Sequence, residues 1–212
     1  MQMALFTKRG GKRRGAGRPA KGPRPSERHK TRAPVTRHTP VHVTLRVVPL
    51  ASSLRTRDLY RAIRAATIVV EKTQAMRVVH ASVQSNHVHL VVEADDQRVL
   101  AKGMQGFQIS AAKQINRVLS RKGQVFGDRY HAHVLRTPRE ARNAVIYVLN
   151  NWRKHGVRGN DEIDSYSSAE QFAGWREGTW TRAERWKLHV APPRSWLLRK
   201  VKDVSVFETP RS

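Results

Sequence analysis

From position 41 apolar and polar residues alternate along the chain: Val41, Val43, Leu45 and Val47 against His42, Thr44 and Arg46. Successive side chains of a strand point to opposite faces, so this period of two predicts a half-buried strand. The period then changes. Leu59, Ile63, Ala66 and Val70 recur at helical spacing, which predicts a helix from about Arg57 to Glu71. Met76 to Gln84 returns to alternation, with Val79, Ala81 and Val83 expected on one face and Val78, His80 and Ser82 on the other. A polar turn, Gln84-Ser85-Asn86, leads into a third strand from His87 to Glu93. Its Val88, Leu90 and Val92 face one way, and His87 and His89 the other.

Asp96 opens a long second helix with the stripe Leu100, Met104, Phe107, Ala111, Ile115 and Val118, and Gly123 is expected to end it. A fourth strand fits Arg129 to Leu135. Thr137-Pro138-Arg139-Glu140 reads as a helix start, with Thr at the N-cap, Pro at the first helical position and Glu at the third. That third helix runs to about His155, before Gly156. The order β-α-β-β-α-β followed by a helix is the ferredoxin-like, split βαβ pattern of the α+β class. It predicts a four-stranded antiparallel sheet. Two helices should cover the face bearing Val43, Val79, Val88 and Leu90. The face carrying His80, His87 and His89 is left for a substrate or for the third helix.

The ends of the chain differ in kind from this core. Residues 1–38 hold twelve Lys/Arg against the single acid Glu27, with several Gly and Pro. Such a segment buries too little apolar surface to offset its ordering entropy and is expected to be a disordered basic tail. Within it, Arg13-Arg14-Gly15-Ala16-Gly17-Arg18-Pro19 resembles an AT-hook, whose arginine enters narrow minor grooves. A simple phosphate-gripping tail reads equally well. Residues 39–156 form the folded domain, and 157–212 a Trp-rich basic extension. All five tryptophans lie from Trp152 onward. They read either as base-stacking platforms or, more simply, as the packing of a small subdomain.

The net charge of +25 adds a partner to the picture. A field this positive attracts polyanions, and each phosphate neutralised releases a counterion, so nucleic-acid binding should depend steeply on salt. A ribosomal or packaging role fits charge alone. The chain has no cysteine, which excludes disulfides and thiolate zinc sites. No apolar run is long enough to span a bilayer, and the basic N-terminus lacks the apolar core of a secretory signal.

The chemistry concentrates at His87-Val88-His89. Two histidines one residue apart project from one face of a strand, and imidazole is a common metal ligand. Two ligands do not complete a site for a hard divalent cation. The third helix offers Tyr147 and Asn151, four residues apart and so stacked on one face, at the edge of a stripe formed by Val145, Val148 and Trp152. A tyrosine beside a metal suggests nucleophilic attack on phosphorus. Taken singly, each residue has a plainer reading: an incidental His-x-His, an edge-of-core tyrosine, an asparagine near a helix end. His131-Ala132-His133 repeats the strand geometry and serves as an internal decoy.

Ser85-Asn86-His87-Val88-His89-Leu90 resembles the HUH motif of single-tyrosine transposases, and Tyr147-Val148-Leu149-Asn150-Asn151 resembles their nucleophile helix. Gly127-Asp128-Arg129-Tyr130-His131 is also similar to the family. The resemblance runs over about 40–156 and is nearest to the REP-associated tyrosine transposases, a bacterial branch. Gln84-Ser85 stands where the family often has Met-Pro, and Trp152 where it often has Pro. Neither departure touches a proposed ligand or nucleophile. The resemblance implies cleavage and joining of single-stranded DNA near imperfect hairpins, in the bacterial cytoplasm at the nucleoid, by a monomer or a homodimer. It implies that His87, His89 and Asn151 bind Mg²⁺ or Mn²⁺, and that Tyr147 forms a 5′-phosphotyrosine and releases a 3′-OH.

Further DNA contacts are expected from Arg13, Arg14 and Arg18 in the tail and from Arg46, Lys113, Arg117, Arg129 and His131 in the domain. His80 is either an outer partner that orients a ligand or a buried structural histidine. Two other classes compete. One is a non-cleaving protein, derived from a transposase, that binds hairpin DNA or RNA. The other is a nuclease that uses water, although Glu93, Asp95 and Asp96 lack the second acidic set of a two-metal site.

Overall fold

The structure, a computed structural model, describes residues 33–50, 52–73, 76–154, 163–178 and 187–209. The elements follow the expected order: β1 Val41–Arg46, α1 Arg57–Thr73, β2 Arg77–Val83, β3 His87–Glu93, α2 Gln97–Val118, β4 His131–Val134 and α3 Pro138–Lys154, then a short 3₁₀ turn and α4 Trp196–Arg199. The strands form one antiparallel sheet in the order β2-β3-β1-β4, the ferredoxin-like arrangement. The central pair is β1 and β3, in a register that sets Val43 beside Leu90, Thr44 beside His89 and Arg46 beside His87.

One sheet face packs against α1 and α2. Val41, Val43, Leu45, Val88, Leu90 and Val92 meet Leu59, Ile63, Leu100, Met104 and Phe107 in a continuous core. The Asp96 carboxylate caps α2 by accepting from the N–H groups of Arg98 (2.6 Å) and Val99 (2.8 Å). The far end departs from expectation. The helix stops at Val118, and Ser120 adopts φ 47° while the N–H groups of Ser120 and Arg121 bond back to the Arg117 and Asn116 carbonyls. That is a Schellman closure built on a serine, so Gly123 lies in the following turn instead of at the cap.

The second face carries another core, in which Val79, Val91 and Leu135 pack with Val145, Val148 and Leu149 of α3. Here β2 differs from its alternation. The pairing slips between Val78 and His80, so Val78 lies opposite Val92 and His80 opposite Val91. Val79 is the extra residue of this bulge. It turns to the α3 side, and Val78 takes its place in the first core. A bulge depends on two strands, and periodicity within one cannot show it.

The described part of the C-terminal extension joins this second core. Phe172, Trp175, Leu197, Leu198, Val201, Val204 and Val206 pack with α3, and no separate small core forms among the described residues. Of the described tryptophans Trp152 and Trp175 are buried, and Trp196 is 56% exposed. The extension also covers the outer edge of β2. Val83 N–H donates to Tyr166 O (2.8 Å), Ser168 N–H to Ala81 O (2.8 Å) and Ala191 N–H to Val78 O (2.7 Å). Those bonds occupy a strand edge that would otherwise be open to another chain. Arg55 clamps the start of this segment with two bonds to Asp164, 2.7 and 3.0 Å long.

Packing also starts earlier than the strand pattern indicates. Val35 is buried in the first core and Thr36 pairs with Asp96, so folded structure precedes Pro40. The lone valine has no periodic neighbours to reveal it. The AT-hook-like segment with Arg13, Arg14 and Arg18 lies outside the described residues. No described helix is long and apolar enough to cross a membrane.

The Asp164 side chain is fully buried beside Arg55. Removing one partner of such a pair strands a charge in the interior, so Arg55→Ala should cost about 3 kcal/mol in urea unfolding. A loss below about 1 kcal/mol would show that water compensates the carboxylate.

Candidate active site

The β1–β3 register decides which side chains meet. His87 and His89 leave β3 on the α3 face, with ring centroids 4.6 Å apart. His87 Nδ1 lies 2.7 Å from Asn86 Oδ1, so the turn before the strand orients that ring. His89 Nδ1 is engaged by β1: it lies 3.2 Å from His42 Nε2 and 3.1 Å from Thr44 Oγ1. In both imidazoles the Nδ1 position is held by the protein, so a metal would coordinate through Nε2.

α3 supplies the opposite wall. Its N-terminus is fixed by the expected capping box: Glu140 N–H donates to Thr137 Oγ1 (3.1 Å), and Glu140 Oε2 accepts from Thr137 N–H (3.1 Å). The helix sets the half-buried Tyr147 edge-on against His89 at 5.1 Å and against His42 at 5.7 Å. One turn on, Asn151 is 1% exposed, and neither its amide nitrogen nor its amide oxygen has a hydrogen-bond partner among the described residues. Among the described residues it is the one side chain with two such atoms.

The adjacent Asn150 makes the contrast clear. Its amide donates to Glu208 O (3.0 Å) and anchors the C-terminal segment. A buried, unsatisfied amide costs stability, so packing alone gives no account of Asn151. Two oriented imidazoles and an amide oxygen make a donor set that fits a Mg²⁺ or Mn²⁺ ion whose other sites are filled by water and phosphate oxygen.

His42 and Thr44 are the residues that strand periodicity places on the correct face without revealing their role. The signal, a histidine on the polar side of β1, is present in the chain, but its meaning needs the pairing with β3. The pairing of β1 with β4 sets His133 opposite His42 and His131 opposite Thr44, so the decoy pair lies on this same face, exposed. Burial pushes the His42 imidazole down from 6.5 to about 4, helped by the neighbouring His133 and His131. A neutral ring can accept a hydrogen bond from His89, which a protonated one cannot.

The remaining candidates divide by position. Arg46 is exposed beside His87 in the register. Gly127 N–H donates to Arg46 O (3.2 Å), which holds the loop bearing the exposed Arg129 next to that end of β1. Lys113 and Arg117 are exposed on α2, across the sheet from the histidines. His80 packs edge-on against Phe172 at 5.4 Å, within the second core, and burial lowers its pKa to about 4.

Comparisons with known proteins give a family and a fold. Residues 39–151 match the family model of IS200-like transposases. No curated protein sequence matches the chain. Among solved structures the fold is similar to that of a REP-associated tyrosine transposase bound to a REP hairpin. The TM-score is 0.56 and the identity 19%, over 68% of this chain and 84% of that one.

The buried His80 predicts a pH dependence of stability. Its native pKa of about 4 lies below the ordinary 6.5, so between those values the unfolded chain takes up a proton that the native state refuses. Stability is therefore intact above pH 6.5 and falls as pH drops towards 4. The loss at pH 5 is about 2 kcal/mol from this residue. Denaturant melts of His80→Leu at pH 7 and pH 5 should show a shallower decline by that amount. An unchanged slope would mean that the ring is protonated in the native state.

Proposed function

The chain belongs to the IS200-like transposase family, and on that premise we propose that it cuts and rejoins single-stranded DNA near hairpins through Tyr147. One observation carries the reading. The nucleophile candidate packs on His89, and the same helix face holds, one turn away, a buried amide with both polar atoms unsatisfied. The REP hairpin bound in the similar structure supports a hairpin-flanked substrate. A DNA-processing role also suits the charge of +25 and a place of action on cytoplasmic DNA.

His87, His89 and Asn151 would hold Mg²⁺ or Mn²⁺, which when bound polarises the scissile phosphate and offsets charge on its oxygens. The protein does the rest. Asn86, His42 and Thr44 keep the two imidazoles in the ligand orientation. The packing of Tyr147 against His89 and His42 limits the phenol to a small volume beside them, which lowers the entropic cost of attack.

The phenol oxygen attacks phosphorus as its proton passes to solvent. The bond from phosphorus to O3′ breaks, and the departing oxygen takes up a proton to become a 3′-OH. The 5′-phosphate stays on Tyr147 as an ester, so an incoming 3′-OH can reverse the step without a further energy source. Arg46, Arg129 and His131 line the approach on this face as phosphate contacts, and Lys113 and Arg117 add to the general field.

Single-stranded DNA from the flanks of the chain's own gene provides the test. Incubated with Mn²⁺, the native protein should give a denaturant-resistant protein–DNA adduct. Tyr147→Phe or added EDTA should remove it, with at least about 10³-fold less cleavage. Free 5′-phosphate ends without an adduct would favour water as nucleophile, and tight binding without any cut would favour a binding protein.

Asn151→Leu separates metal holding from folding. Replacing the unsatisfied amide with an apolar side chain of similar size should raise metal-free stability by about 1 kcal/mol. It should also remove the rise in Tm that Mn²⁺ gives the parent protein. A variant that keeps the Mn²⁺ shift would exclude Asn151 as a ligand.

A further inference from the structure

A basic cavity lies at the opposite end of β3 from His87. It has a volume of about 390 Å³, and its lining includes Arg37, Arg77, Arg194, Arg199 and Trp196. Six residue steps along the strand separate His87 from Glu93 at this end, a span of roughly 20 Å. The cavity is thus distinct from the site of Tyr147.

Its walls are built with buried polar groups. The Glu93 side chain is 5% exposed and accepts from Arg194 N–H (2.9 Å) and Ser195 N–H (2.8 Å). Arg77 offsets its charge at 3.8 Å and donates to Pro192 O (2.6 Å). The strand end thereby pins the loop 192–195 and fixes where α4 begins. The exposed side chains of Arg194 on that pinned loop and of Trp196 and Arg199 on α4 are presented to the cavity. Neither Arg194 nor Arg199 has a carboxylate partner among the described residues. Asp95, the other acid of the lining, is exposed.

Trp196 is the informative member. The chain buries its other described tryptophans, yet this ring is 56% exposed, with Lys200 Nζ 5.8 Å from its centroid. An exposed indole offers a flat face on which a base can stack. The segment entering from the basic tail also arrives here: Thr36 pairs with Asp96, and Arg37 and His38 line the cavity.

We propose that this cavity is a second DNA site, one that takes an unpaired nucleotide of the single strand, with its base on Trp196 and its flanking phosphates on Arg194 and Arg199. The proposal rests on the reading of the chain as a DNA strand transferase. Guanidinium groups at phosphate positions beside an aromatic face are the chemistry of sequence-tolerant single-strand binding. The two sites would hold one strand at two points along β3. The free energy of the remote contact would then assist positioning at Tyr147.

The test uses the full chain carrying Tyr147→Phe, in EDTA, with binding of a fluorescein-labelled oligothymidylate read by anisotropy. No cleavage is involved, so an incorrect nucleophile assignment leaves the result unaffected and shows only in the adduct assay. Adding Trp196→Ala should weaken binding roughly tenfold, and Trp196→Phe should restore most of it. Arg194→Ala with Arg199→Ala should lower the salt slope by about 1.4. An oligothymidylate carrying 5-iododeoxyuridine should photocross-link to the peptide that contains Trp196. Unchanged affinity in Trp196→Ala, a Phe variant as weak as the Ala variant, or cross-links that avoid this peptide would each overturn the proposal. Tighter binding of oligouridylate would reassign the site to RNA. Thermal melts confirm that the variants, altered at exposed positions, remain folded.

Discussion

The antiparallel pairing of β1 with β3 is the constraint on which the rest of the molecule depends. Hydrogen bonding sets Thr44 beside His89 and Arg46 beside His87, and alternation then sends every other side chain of both strands to the same face. A slip of one residue would bury His89 among Leu59, Ile63 and Phe107 and turn Leu90 toward Tyr147. The apolar halves of the two strands, which fill the first core, therefore enforce the geometry of the imidazoles. Stability and site geometry share one register.

That arrangement concentrates polar groups where a core would otherwise form. His89 is 3% exposed and Asn151 1%, and His42 is held neutral by burial and by His133 and His131 on the adjacent strand. Each is costly by the usual rules of interior packing. The two neighbouring asparagines divide the roles. Asn150 spends its amide on the C-terminal segment, and Asn151 keeps both atoms without a partner. Fold stability supplied elsewhere, by two cores on either side of the sheet, tolerates this local deficit.

The C-terminal extension ties the molecule together. It hydrogen-bonds along the edge of β2, fills the second core against α3, and receives Arg55 on a buried Asp164. The same segment presents Trp196 and two arginines from α4 and the loop before it, which Glu93 anchors. A chain with so large a net charge repels itself, and interior acids such as Asp164 and Glu93 are used at points where a cation or a backbone N–H must be held.

Much of this was legible from the chain alone. Alternation in β1 and β3, the helical stripe of α2 and the capping box of α3 are local patterns, set by side-chain geometry within a few residues. They sufficed for the element order, and they placed His87 and His89 on one strand face and Tyr147 and Asn151 on one helix face. What the chain alone left open depends on pairing. The bulge that moves Val79 to the other face, the Schellman turn on Ser120 and the burial of Val35 all need a second segment to exist. So does the role of His42, an ordinary polar-face residue until β1 lies beside β3. The distinction between Asn150 and Asn151 is of the same kind, because only the folded chain brings the Glu208 carbonyl to one amide and leaves the other without a partner. Sequence determined which elements form, through local periodicity; tertiary structure decided which of their side chains meet, because hydrogen-bond register and burial belong to pairs of segments.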